Sequence, residues 1–259
     1  KIKKVQEKLL SLKIDAIMVT ERVSIRYLTK FTGTRGYLLI TKKDTILFTD
    51  FRYTKQAKEQ SKEVEVVEIS TRWVEEIFEI LKEKGIKNLG LEKEYISYSL
   101  YALFKEKWAG INLKPLKNAV TAFRAVKDAE EIDYITKSVD LADKAFKHIL
   151  PEIKAGRKER DIALELEYFM RREGAEGISF DFIVASGSRG AMPHGVASDK
   201  RLQDGEMVTL DFGCVLHGYC SDITRTVVLG SPSERQKEIY SLVRTAQALG
   251  VESLQPGIN

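Results

Sequence analysis

The sequence predicts an α/β domain followed by an α+β domain. Three observations carry this expectation. In the first half, short apolar strands alternate with amphipathic helices. A long capped helix begins at Asp128, and after Gly177 the hydrophobic period changes from helical to strand-like. The 259 residues suffice for one large or two ordinary domains. The expected division gives residues 1–122 to the first domain and 123–259 to the second.

In the first domain, Ile2, Val5 and Leu9 recur at helical spacing and predict a helix over 2–12, leading to a strand at Ala16–Thr20. Strands at 36–41 and 45–49 flank a turn made by Lys42, Lys43 and Asp44. Helices over 52–60, 72–84 and 97–108 then alternate with strands at 64–68, 88–91 and 111–116, which implies helices layered on a mixed sheet. Gly33, Gly85 and Gly110 fall at turns, and no phosphate-cradling glycine loop is present.

In the second domain, Asp128 and Glu131 form a helix-start capping pair. The apolar positions Ile132, Ile135, Val139, Ala142, Phe146 and Ile149 step by three and four. A coiled-coil seam is one reading; a single helix laying one stripe on a domain fits better, because the stripe stops at Pro151. A second helix spans 158–173, with Gly174 as its C-cap. Strands at 179–186, 207–215 and 219–229 follow, then a final helix opened by Ser233 and Gln236 and marked by Ile239, Leu242, Val243 and Ala246.

The composition limits the partners. Hydrophobic residues at 43% and charged residues at 31% describe a globular chain, and a net charge of +4 is too small and too scattered to argue for nucleic acid. No apolar run approaches the roughly 18 residues needed to span a bilayer, and Lys1–Leu12 lacks the apolar stretch of a secretory leader. Two cysteines, Cys214 and Cys220, imply no disulfide framework and suit a reducing cytoplasm.

The strongest chemical signal is Leu210-Asp211-Phe212-Gly213 followed by Tyr219-Cys220-Ser221-Asp222-Ile223-Thr224-Arg225-Thr226. A hairpin closed around Leu216-His217-Gly218, with Leu216 facing His217, sets Asp211 directly opposite Asp222. Like charges in that position destabilise a sheet. A shared proton offsets the repulsion, and a divalent cation between the carboxylates does so better, since carboxylates are hard ligands. The competing reading makes one aspartate a strand-end cap or a solvent-facing residue. His194, in Met192-Pro193-His194-Gly195, lies in a loop after the Gly- and Ser-rich stretch 186–190, where it is either exposed or a substrate contact. His148 and His217 read as structural or solvated, and the two cysteines make a poor zinc site. His-Glu-x-x-His, Gly-x-Ser-x-Gly and Walker motifs are absent.

The two aspartate strands, with Pro193-His194-Gly195-Val196-Ala197-Ser198 before them, resemble the family of prolidase, aminopeptidase P, methionine aminopeptidase and creatinase, whose catalytic domain is the pita-bread fold. Arg124-Ala125-Val126-Lys127-Asp128 and the residues to Ile132 resemble the start of that domain, and the first half, with Asp50-Phe51-Arg52-Tyr53, is similar to the creatinase-type N-terminal domain. The resemblance implies two divalent metal ions, usually manganese with cobalt or zinc as alternatives. Asp211 and Asp222 would be metal ligands, with Asp222 bridging, and a bridging water or hydroxide would attack the scissile carbonyl. His194 would contact the substrate or the developing oxyanion. The implied substrate is a proline-containing dipeptide or an Xaa-Pro peptide, and the implied assembly is a cytoplasmic homodimer. In the family one His and two Glu ligands follow further along, and no His follows Asp222 here. The chain is therefore expected to be part of a longer enzyme, with residues 1–259 alone inactive and poorly soluble.

The separate first domain argues against a methionine aminopeptidase, and the two aspartates argue against creatinase itself, which works without metals. The alternative to an enzyme is a non-catalytic binding module of the same fold; such modules lose the ligands that Asp211 and Asp222 represent.

Overall fold

The structure, a computed structural model, describes residues 1–259. It comprises two compact units, Lys1–Val126 and Lys127–Asn259.

In the first unit the elements run α1 (Ile2–Ser11), β1 (Ala16–Val19), α2 (Arg22–Thr29), β2 (Tyr37–Thr41), β3 (Thr45–Thr49), α3 (Thr54–Gln60), β4 (Glu65–Glu68), α4 (Trp73–Glu83), β5 (Asn88–Glu92), α5 (Tyr98–Lys107), β6 (Asn112–Leu116) and α6 (Thr121–Arg124). The strands form one six-stranded sheet in the order β4-β3-β2-β1-β5-β6. β2 lies antiparallel to both β1 and β3, whereas β4, β5 and β6 join by parallel pairings, as βαβ connections require. Side chains alternate across each strand, so β1 sends Ile17 and Val19 to one face and Ala16 and Met18 to the other. Val5 and Leu9 of α1 and Ile25 and Leu28 of α2 cover the first face; Ile77 and Leu81 of α4 and Phe104 of α5 cover the second.

α2 departs from the sequence reading, which has no helix between the first two strands. Its N-cap is Glu21, whose carboxylate accepts from the Ser24 N–H at 2.6 Å, and its C-cap Lys30 takes the left-handed conformation at φ 65°. Neither end uses the residue types that ordinarily mark a helix terminus. The first unit extends to Val126 because Ala119 and Val120 are buried in its core and the Tyr27 hydroxyl donates to the Phe123 carbonyl at 3.1 Å.

In the second unit, α7 (Ala129–Ile149) and α8 (Glu159–Arg172) precede β7 (Gly177–Ile178), β8 (Ile183–Ser186), β9 (Met207–Phe212), β10 (Cys214–Leu216), β11 (Tyr219–Cys220), β12 (Ile223–Val228) and α9 (Glu234–Glu252). The strands form two three-stranded sheets, β11-β10-β7 and β12-β9-β8, antiparallel throughout. The capping boxes at Asp128/Glu131 and Ser233/Gln236 are both formed. The buried side of α7 differs from the expected stripe: Ser138, Leu141, Ala142, Ala145 and Ile149 face the core, and Ile132 is 55% exposed. Small residues let the helix approach β10 closely, and the Ser138 hydroxyl donates to the Cys214 carbonyl at 3.0 Å. Leu141 and Ile149 of α7 pack with Ile162, Leu166 and Met170 of α8 on Val184, Val208, Leu210 and Phe212, so both helices cover one face of the β12-β9-β8 sheet.

Candidate functional site

The alternation on β9 separates the two faces of its sheet. Val208, Leu210 and Phe212 enter the core under the helices, while Met207, Thr209 and Asp211 line the opposite face. On the neighbouring strand, Ile223 and Val227 pack on that same core, which leaves Thr224, Thr226 and Val228 beside Thr209 and Asp211. The Thr209 and Thr226 hydroxyls are 3.4 Å apart on this polar face.

The register corrects the direct opposition of the two aspartates. β10 and β11 close on a two-residue turn in which His217 and Gly218 both have positive φ, 52° and 80°, so Leu216 pairs with Tyr219 rather than with His217. The pairing shifts by two residues, and Asp211 faces Thr224 while Ile223 faces Phe212. A shift of two preserves the side of the sheet. Asp211 and Asp222 are therefore diagonal neighbours on one face, with Asp222 level with Gly213. Burial, the negative charge of Asp211 and a hydrogen bond with Asp211 together hold the Asp222 carboxyl above the ordinary aspartate range. The Thr224 hydroxyl donates to Asp211 Oδ1 at 2.9 Å.

Gly213 is fixed by sterics. A Cβ there would lie 1.9 Å from the Ser221 carbonyl oxygen and 2.6 Å from Ser179 Oγ. The Ser179 hydroxyl donates to that same carbonyl at 2.8 Å. This close approach interrupts the long strands expected at 207–215 and 219–229, and Asp222 lies in the second interruption.

His194 lies in the loop that leaves β8 at Ser186, turns through a 3-10 segment at Gly187–Ala191, and returns as Val196 bridges Ile183. Because Ile183 also pairs with Asp211, the returning backbone runs two strand spacings from Asp211, about 9–10 Å. The imidazole is exposed. His217 sits in the hairpin turn with its ring 4.8 Å from that of Tyr134, and His148 pairs with Glu165 at 2.7 Å while stacking on Phe169. Cys214 and Cys220 are free thiols.

The fit to divalent cations rests on the aspartates. Their hard oxygens share one face, and the burial and the Asp211 charge that raise the Asp222 carboxyl are both offset by a cation bound there. The pair fits as two ligands of a larger set, for no group of three or more His, Cys, Asp or Glu side chains converges within residues 1–259. The sequence reading passes over Thr224 as a site residue. Its signal was present, since Thr224 follows Asp222 by two residues and so shares its face.

Comparison with known proteins gives two family matches. Residues 133–259 match metallopeptidase family M24, and residues 1–126 match the creatinase/prolidase N-terminal domain. An uncharacterized peptidase, YqhT of Bacillus subtilis, is 43% identical over 258 residues, covering 100% of this chain and 73% of the relative. Among solved structures, an Xaa-Pro dipeptidase from Bacillus anthracis superposes with a TM-score of 0.95 at 43% identity, covering 99% of this chain and 72% of that one. An X-Pro aminopeptidase from Thermotoga maritima superposes with a TM-score of 0.89 at 38% identity, covering 94% and 70%.

Proposed function

The chain belongs to metallopeptidase family M24, and from that membership we propose that it serves metal-dependent hydrolysis of Xaa-Pro dipeptides or of N-terminal Xaa-Pro peptide bonds. The observation that carries this reading is the carboxylate pair Asp211 and Asp222 on the face of the β12-β9-β8 sheet away from α7 and α8. The similar solved structures include an Xaa-Pro dipeptidase and an X-Pro aminopeptidase, which supports the substrate class.

Asp211 and Asp222 would hold the cations, manganese first and cobalt or zinc as alternatives. When bound, such ions supply a water of lowered pKa and polarise the scissile carbonyl. Thr224 orients Asp211 through its hydrogen bond to Oδ1. His194, carried by an exposed loop that returns along the sheet edge, would meet the substrate carbonyl oxygen as charge develops on it. The proposed assembly is a homodimer, and the proposed location is the cytoplasm. No helix is long and apolar enough to cross a membrane.

The test is turnover of an Xaa-Pro dipeptide by the full-length protein with Mn²⁺. Asp222→Ala should remove the activity; turnover equal to the parent would reject the metal role.

A further inference from the structure

Glu159, in the first turn of α8, is fully buried although it carries an ionisable carboxyl. Such a group stays charged only where donors replace its water. Here Oε1 accepts from the backbone N–H of Ser186 at 2.8 Å and from its hydroxyl at 2.9 Å. Oε2 accepts from Arg189 Nε at 2.9 Å, from the Ser198 hydroxyl at 2.6 Å and from the Ser198 N–H at 3.2 Å. Burial acts to raise the Glu159 carboxyl, and the hydrogen bonds from Ser198 and Ser186 outweigh it, leaving the group below its ordinary range.

The donors have a pattern. Ser186 is where the His194 loop leaves β8, and Ser198 is where the loop has returned past Val196. Arg189 sits between them, and its Nη2 donates to the Val196 carbonyl at 2.7 Å. Lys200 adds a further tie, reaching Ser186 Oγ and Glu206 Oε2, each at 2.7 Å. One carboxylate on a rigid helix thus grips both ends of the loop, and Arg189 clips its middle. The exposed His194 ring depends on this backbone for its place.

We propose that Glu159, acting through Arg189 and the two serines, is the positioning residue for His194. The inference rests on the peptidase reading of His194, and its test separates the two. Hydrogen exchange of residues 186–198 is compared in the full-length protein and in Arg189→Met, Glu159→Gln and Ser198→Ala, together with kcat and KM for an Xaa-Pro dipeptide with Mn²⁺. Arg189→Met is the leading variant because its side chain is partly exposed, so it keeps the test available if Glu159→Gln does not fold. Loop exchange should rise, and kcat should fall about 10-fold or more while KM stays within about 3-fold. In a His194→Ala background the same substitution should lower kcat by less than about 2-fold, because the two residues act as one unit. Unchanged loop exchange would overturn the proposal, as would an equal loss of kcat in both backgrounds. Parent-level turnover in His194→Ala with a loosened loop in Arg189→Met would instead reject the role of His194 and keep Glu159 as the holder of the loop.

Discussion

Thr224 stands directly opposite Asp211 across the β9–β12 pair and donates a 2.9 Å hydrogen bond to its Oδ1. The contact fixes the orientation of the Asp211 carboxylate beside Asp222. Thr224→Val keeps the shape and removes the donor. Mn²⁺ affinity, measured by calorimetry on the full-length protein, should fall about 10-fold or more, with thermal stability unchanged in the metal-free state.

Gly213 is the hinge of the same arrangement, since any side chain meets the Ser221 carbonyl beside Asp222. Gly213→Ala must push the two strands apart. Urea denaturation should show a loss of about 2–3 kcal/mol, with weakened metal binding alongside.

Glu92 gives the first unit a pH dependence. It is 1% exposed, its Oε2 has no hydrogen-bond partner, and burial, reinforced by the charges of Glu21 and Glu94 and opposed by the Ser24 hydroxyl, raises its carboxyl to about 7. A folded-state value above the unfolded 4.5 means that the native state holds the proton more tightly. The stability linked to that proton is fully present below pH 4.5 and is lost as pH rises through 7, a total of about 3 kcal/mol. Glu92→Gln cannot ionise. Its unfolding free energy should lack this decline, and at pH 8 it should exceed that of the parent.

The buried side of α7 makes a contrasting pair of predictions. Ile132→Ser should change stability by no more than about 0.5 kcal/mol, because that position is exposed. Ser138→Leu should cost about 2 kcal/mol or more, by overfilling the contact with β10 and removing the bond to the Cys214 carbonyl. Thermal unfolding of both variants checks the difference.

These particulars also mark what sequence alone reveals. The alternating layers of the first unit were legible, because its central strands are short apolar runs separated by amphipathic helices, although only α5 carries an ordinary N-cap, Ser97. α2 was hidden by a glutamate cap and a left-handed lysine, residue types that rarely mark helix ends. On α7 the periodicity located the helix but misplaced its buried side, since a hydroxyl and two alanines, rather than the isoleucine at 132, make the close contact. At the site, the shared face of Asp211 and Asp222 was legible from residue parity. Their register was not, because it depends on a two-residue turn with positive φ at both His217 and Gly218, which the hydrophobic pattern does not signal. The grip of Glu159 on the His194 loop was invisible, being built from serines and an arginine far from it in sequence.

The proposed function requires Asp211 and Asp222 to hold cations together. Mn²⁺ titration of the full-length protein, read by calorimetry and by the loss of free-ion paramagnetic signal, tests it most directly. The parent should bind manganese tightly, and Asp211→Asn and Asp222→Asn should each abolish or severely weaken at least one binding event while the fold remains intact by circular dichroism. Manganese binding of unchanged affinity and stoichiometry in both variants would contradict the account.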